Sequence, residues 1–229
     1  MTGLTDRAAG DVPDFGKEIE LAHQRWEESM LRQVDSLRDD VRQRNPEVAA
    51  ALSGGRFEPG AVILPYWGRR VRLAWPDLEP AFEDGKPCST FDQAMLLYHL
   101  RTADGFPMAE RWIGFRELPD GAFYHLAYQR YSGDRLARAF GGDPPALPAA
   151  ARAFDGVHLT AIGEYAYAFS PLPRIRLAAI LWPGDEEFPA RGSVLFDGAA
   201  SHYMTTDGLA LLGGGLAGRL AKARPHPDS

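Results

Sequence analysis

Between Asp14 and Arg44 the apolar residues Ile19, Ala22, Trp26, Met30, Val34, Leu37 and Val41 recur at intervals of three or four. That spacing predicts one long amphipathic helix, with Glu28 and Arg32 one turn apart on its wet face. Asn45-Pro46 stops it and caps a short second helix ending at Gly54-Gly55. The period then switches to two: Arg70 and Arg72 alternate with Val71, Leu73 and Trp75, which together with Val62 to Leu64 predicts a hairpin turning at Gly68. Thr90, with Gln93 three residues on, reads as the capping box of a helix over Phe91 to Thr102. Its Met95-Leu96-Leu97-Tyr98 run is apolar nearly all round, which places the helix centrally in the core.

Pro119-Asp120-Gly121 is a turn, with proline presetting φ and glycine free to take a positive one, and an aromatic-rich segment follows from Phe123 to Tyr131. Asp134 to Phe140 and Pro148 to Phe154 read as short helices on either side of the breaker Gly141-Gly142-Asp143-Pro144-Pro145. The last third predicts strands over Tyr165 to Phe169, Arg174 to Trp182 and Ser193 to Phe196, then a helix capped near Thr206 and running to Lys222. Strands near both ends with helices between them predict an α+β fold: a mostly antiparallel sheet completed by distant segments, with packed helices and the long N-terminal amphipathic helix. A single domain is expected over residues 14–222, with disordered tails at 1–13 and 223–229.

Composition narrows the function classes. The 229 residues carry a net charge of −6, and their basic residues are scattered rather than clustered, which disfavours nucleic acid as a partner. One cysteine, Cys88, makes neither an internal disulfide nor a thiolate metal cluster. No run of eighteen apolar residues occurs and no signal-like segment opens the chain, so no membrane is expected and the expected compartment is the cytoplasm.

Candidate chemistry concentrates in two places. Asp185, Glu186, Glu187 and Asp197 put four carboxylates into thirteen residues. Brought together in a turn, and joined by His202, they would offer hard oxygen ligands and an imidazole to a divalent metal. The bland alternative is an exposed turn in which Asp185 caps backbone amides and Asp197 orders the next turn. Arg116 can pair bidentately with a carboxylate of that segment or of a ligand, and Glu117, His125, Tyr128 and the nearby Tyr124 and Tyr131 offer a polar, aromatic pocket wall. His99 reads as a hydrogen-bonded core histidine, and Cys88, just before a helix, could have its thiol pKa lowered by the helix dipole. Gly213 to Gly218 has the letters of a dinucleotide fingerprint without its strand–turn–helix context, so these glycines are expected to bring the last helix close to the sheet.

Four segments carry a resemblance. They are Leu96-Leu97-Tyr98-His99-Leu100; Trp112 to Pro119 with Gly121; Trp182 to Phe188 with Leu195-Phe196-Asp197; and Thr206-Asp207. In this order they resemble an uncharacterised prokaryotic family, domain of unknown function 3786, over roughly residues 14 to 222. The resemblance implies the company of anaerobic metabolism: some members are fused to a cysteine-rich iron–sulfur domain, and some are associated with corrinoid or one-carbon metabolism. With one cysteine among these 229 residues no cysteine-rich domain is expected within them, and Met204 stands where related sequences often carry cysteine.

Three functional expectations follow. The first is a domain that binds a small molecule or cofactor, or serves a cofactor-dependent enzyme, through Arg116, Glu117, His125 and Tyr128. The second is a metal-dependent enzyme built on Asp185, Glu186, Glu187, Asp197 and His202. The third is a structural or protein-interaction domain. The first two need the Arg116 and Asp185 segments to share a cleft.

Overall fold

A run of helices covers two antiparallel sheets in this chain, seen in a computed structural model that describes residues 15–225. The expected N-terminal tail at 1–13 and residues 226–229 of the expected C-terminal tail at 223–229 lie outside the described residues, as do the side chains of Ile19, Ala22 and Trp26. Arg224 forms an ion pair with Asp143 at 3.4 Å.

Helix α1 (Phe15–Arg42) buries Met30, Val34, Leu37 and Val41, the stripe that its sequence period marks out, against α3 (Thr90–Thr102). Asn45 caps α2 (Pro46–Ser53) by accepting from Val48 N at 3.1 Å, and Gly54 ends it in the left-handed region at φ 75°. Seven successive residues of α3, Ala94 to Leu100, are buried, so the helix is enclosed on all sides. Its N-cap is Ser89 rather than Thr90: the Ser89 hydroxyl accepts from Asp92 N at 3.2 Å. Thr90 is already helical, and a residue inside the helix cannot reach back to cap it. At the other end the Arg44 guanidinium donates to the carbonyls of Leu100, Arg101 and Ala103, which satisfies the orphan acceptors of the last turn.

The first sheet is a meander of β1 (Arg56–Glu58), β2 (Ala61–Tyr66), β3 (Arg69–Ala74) and β4 (Pro80–Phe82). The β2–β3 hairpin turns on Trp67 and Gly68, both at positive φ, the two-residue geometry that matches the strand twist. The second sheet has five strands in the order β5-β9-β8-β7-β6, formed by β5 (Trp112–Ile113), β6 (Val157–His158), β7 (Tyr165–Leu172), β8 (Ile175–Trp182) and β9 (Arg191–Asp197). The distant segment 112–113 thus completes the C-terminal sheet, as an α+β chain of this pattern requires. One buried cluster runs through both sheets and the helices between them.

Helices α4 (Gly121–Tyr131), α5 (Gly133–Phe140), α6 (Ala146–Arg152) and α7 (Thr206–Lys222) complete the fold. In the turn before α4 it is Asp120, not Gly121, that takes positive φ, at 58°. Gly121 opens the helix because a Cβ there would stand 2.0 Å from the Phe115 carbonyl oxygen. At the start of α7 the cap position is Thr205, and the Thr206 hydroxyl donates to Pro119 O at 2.6 Å, tying the helix to that turn. Among the described residues no helix is long and apolar enough to cross a membrane.

Candidate functional site

The two expected motifs do not meet. Segment 183–190 joins β8 to β9 at the Arg191 end of β9, where Trp182 pairs with Arg191. Trp112 and Ile113 pair with Asp197 and Phe196 at the other end, and Arg116 follows directly from there. Six residues of strand at about 3.3 Å each hold the two ends roughly 20 Å apart. The shared cleft is therefore absent, and the stiffness of a paired strand is the reason.

Nor do the carboxylates converge. Asp185 is exposed and its Oδ1 accepts from Glu187 N at 2.9 Å and Phe188 N at 2.7 Å, while Glu186 and Glu187 point to solvent in the same turn. Asp197 is 2% exposed, and backbone amides occupy both of its oxygens: Oδ1 accepts from Ala109 and Ala199, Oδ2 from Glu110, each at 2.9 Å. His202 is paired elsewhere, through Nδ1 to Asp104 Oδ2 at 2.7 Å, and stacks on Phe106 at 4.0 Å. Among the described residues no three His, Cys, Asp or Glu side chains are grouped to hold a metal ion. The bland reading of the acidic segment, an exposed turn and a turn-ordering aspartate, describes what these residues do.

Of the Arg116 group, Arg116 is exposed and forms no ion pair among the described residues, and Glu117 turns back to accept from Gly114 N at 2.7 Å. His125 bonds the Ala122 carbonyl of its own helix at 2.7 Å. Tyr128 is buried behind the surface, stacked on Phe115 at 4.2 Å, and burial pushes its phenol well above its ordinary pKa. None of the four lines the two adjoining cavities along α7. His99 is fully buried, with Nε2 bonded to Ser53 O at 2.8 Å, and burial lowers its pKa to about 4. Cys88 is buried too, and desolvation outweighs any helix-dipole effect, raising its thiol to about 12.

The residues that do share a concavity are the other tyrosines of α4 and one face of α7. Tyr124 and Tyr131 stand two turns apart on α4 and, with Leu211 of α7, belong to two adjoining cavities of about 760 and 960 Å³. Together these form a groove along α7, from Asp207 to Lys222, a span of about 22 Å at the helical rise. Each lobe is in the size range of small-molecule and cofactor sites.

Glycines shape the wall. A Cβ on Gly214 would stand 2.6 Å from the Tyr131 ring, and one on Gly215 3.0 Å from Phe91. The glycine run thus does what was expected at Gly213, where Phe196 of β9 and the Tyr128 hydroxyl come close, while Gly214 and Gly215 face the groove wall instead.

The two lobes differ in charge. In the first, Asp207 Oδ2 accepts from the Tyr98 hydroxyl at 2.6 Å, and Gln33 donates to that hydroxyl in turn. Burial works against ionising Asp207, but hydrogen bonds from Tyr98 and from backbone amides outweigh it and hold the carboxyl below its usual range. Burial, and then the bond to Asp207, pushes the Tyr98 phenol up. In the second lobe Arg219 Nη2 pairs with Asp92 Oδ1 at 3.0 Å, and Tyr66 and Ser89 each donate to Asp92 at 2.7 Å. The Arg219 guanidinium also lies 4.9 Å from the centre of the Trp67 ring. Arg135, Lys222, Phe91 and Phe154 complete that lobe.

Sequence reasoning placed Tyr124 and Tyr131 on a pocket wall and missed Phe91, Phe154, Arg135, Leu211, Arg219 and Lys222. A helical period through Gly214, Gly215 and Gly218 was the available signal, though it marks only a face without side chains and not what lies opposite.

A family model described as Domain of unknown function (DUF3786) matches residues 45–219, from the cap of α2 to Arg219. No curated protein and no solved structure matches the chain.

Proposed function

This chain belongs to the family of the Domain of unknown function (DUF3786), and from that premise we propose that it binds a small organic molecule or cofactor in the groove along α7. The observation that carries the reading is the pair of adjoining cavities that share Tyr124, Tyr131 and Leu211. Aromatic rings supply area and a polar rim, and the absent side chains at Gly214 and Gly215 let the Tyr131 and Phe91 rings pack close against α7 as the groove wall. Corrinoids, folates and nucleotides are the ligands to try first, since the resemblance noted in the sequence implies an association of some members with corrinoid or one-carbon metabolism and each lobe is of the size of a cofactor site.

Thermal shift against that panel is the test, because a ligand at a hundred times its dissociation constant adds about 2.7 kcal/mol of stability. Leu211→Trp places an indole between the lobes. A shift in the wild type that disappears in Leu211→Trp, with the unliganded melting point kept, supports the groove. No shift, or one that Leu211→Trp leaves intact, sinks it.

An accessory role beside a cofactor-dependent enzyme is a second reading, favoured by Phe123 at 92% and Leu126 at 70% exposure on α4, next to the groove. Phe123→Ser with Leu126→Ser would then abolish co-purification with one defined enzyme while small-molecule binding persists; co-purification unchanged by the pair removes this reading. In either role the chain would act in the cytoplasm and away from nucleic acid, a placement supported by its net charge of −6 and single cysteine.

A further inference from the structure

We infer that the second lobe is an oxyanion site, which selects ligands carrying a phosphate or carboxylate group next to a planar or apolar body. The inference rests on the groove reading above and specifies its ligand class. Among the residues lining this lobe, Arg135, Arg219 and Lys222 are cationic and Asp92 is the one carboxylate. Asp92 is already engaged by Tyr66, Ser89 and Arg219, so its charge is spent on holding the wall. The lobe keeps an excess of positive charge beside aromatic surface, on a chain whose net charge is −6.

The cations are set for recognition. Arg219 is positioned twice, by Asp92 at 3.0 Å and by the Trp67 ring, yet Nη2 makes its only hydrogen bond among the described residues. A guanidinium has five donors, so most of them remain for a ligand. Arg135 forms no ion pair among the described residues, and its guanidinium lies against Gly218: a Cβ there would meet Nη1, Cζ and Nη2 at 3.1, 3.2 and 3.4 Å. Three neighbouring atoms at nearly equal distance mean that its plane faces the helix, which leaves its edge to engage paired oxygens. Lys222, one turn beyond Gly218 and exposed, adds a point charge at the mouth. Phe91, Phe154, Tyr124 and Tyr131 surround these groups and give a planar body something to stack on. Residues placed only to balance the carbonyl end of α7 would not include Arg135, which comes from α5.

The probes are inorganic pyrophosphate, citrate, ADP and adenosine, titrated by calorimetry onto the full chain. Pyrophosphate or citrate is expected to bind at millimolar concentration or below, to weaken as salt is raised, and to bind about tenfold more weakly in each of Arg135→Gln and Lys222→Gln. ADP is expected to bind more tightly than adenosine, and that preference should shrink in the same variants. Both side chains are partly or fully exposed, so the variants keep the fold, and matching circular dichroism melts verify it. Absence of pyrophosphate and citrate binding, or binding that neither variant weakens, overturns the inference. If Arg135→Gln and Lys222→Gln leave an organic ligand's affinity unchanged while Leu211→Trp removes it, the oxyanion site fails and the groove reading stands. If Leu211→Trp also changes nothing, the groove reading fails as well.

Discussion

Replacing Asp197 by alanine should destabilise the chain severely. Its side chain is 2% exposed and accepts three backbone N–H bonds, from Ala109, Glu110 and Ala199. A hydrogen bond to a charged acceptor contributes about 1.5–3 kcal/mol, and a buried donor left without a partner is penalised on desolvation. Three such bonds do not add fully, since some freed amides will find water, so the expected loss is about 3–5 kcal/mol. Against a typical total of about 5–15 kcal/mol that is a large fraction. The damage should also spread. Asp197 ties segment 109–110 to β9 just where β5 pairs, and β5 leads into Phe115 and Pro119 on the wall of the first lobe. Urea unfolding followed by tryptophan fluorescence is the assay, with a midpoint shift of about 1–2 M expected for a protein of this size. Asp197→Asn should fall between wild type and alanine, because an amide offers one acceptor where two are needed and aims N–H groups at a third donor. Asp185→Ala, in its exposed turn, should lose no more than about 1 kcal/mol. An Asp197→Ala midpoint within error of the wild type would refute the structural role and reopen the question of what this carboxylate is for.

Three further outcomes are expected. His99 is held by burial at a pKa of about 4 against an ordinary 6.5, so the folded state binds fewer protons than the unfolded one between those values; stability should be full above pH 6.5 and fall by up to about 3 kcal/mol toward pH 4. His99→Gln should flatten that part of the profile, and a variant curve as steep as the wild type's would contradict the assignment. Ser89→Ala should cost about 1 kcal/mol through loss of the α3 cap, while Thr90→Ala should cost well under half of that; equal losses in chemical denaturation would show the cap misplaced. The Cys88 thiol, raised to about 12 by burial, should resist a thiol-specific disulfide reagent at neutral pH until denaturant is added, and rapid reaction of the native protein would count against that burial.

Local pattern was legible wherever local physics decides. The stripe Met30, Val34, Leu37 and Val41, the Asn45 cap, the Gly68 hairpin and the enclosed helix around Met95 each follow from spacing or from the φ that one residue permits. Errors of one residue at Thr90 and Gly121 share a cause. Adjacent residues, Ser89 beside Thr90 and Asp120 beside Gly121, could both take the role locally, and contacts with Asp92 and with the Phe115 carbonyl chose between them.

The candidate site was legible only in part, because a site is a statement about distance. Amino-acid order alone determined that this is an α+β chain with an acidic β8–β9 connection, a tyrosine-bearing segment near residue 124 and a glycine-rich last helix. It could not say that β9 would separate Arg116 from Asp185 by its own length, or that Asp197 would be consumed by backbone amides. Nor could it say that the guanidinium of Arg135 on α5 would lie against Gly218 of α7. Side-chain chemistry and local periodicity are properties of short segments, whereas convergence depends on which segments the strand pairings and helix packings of the whole chain carry to one place.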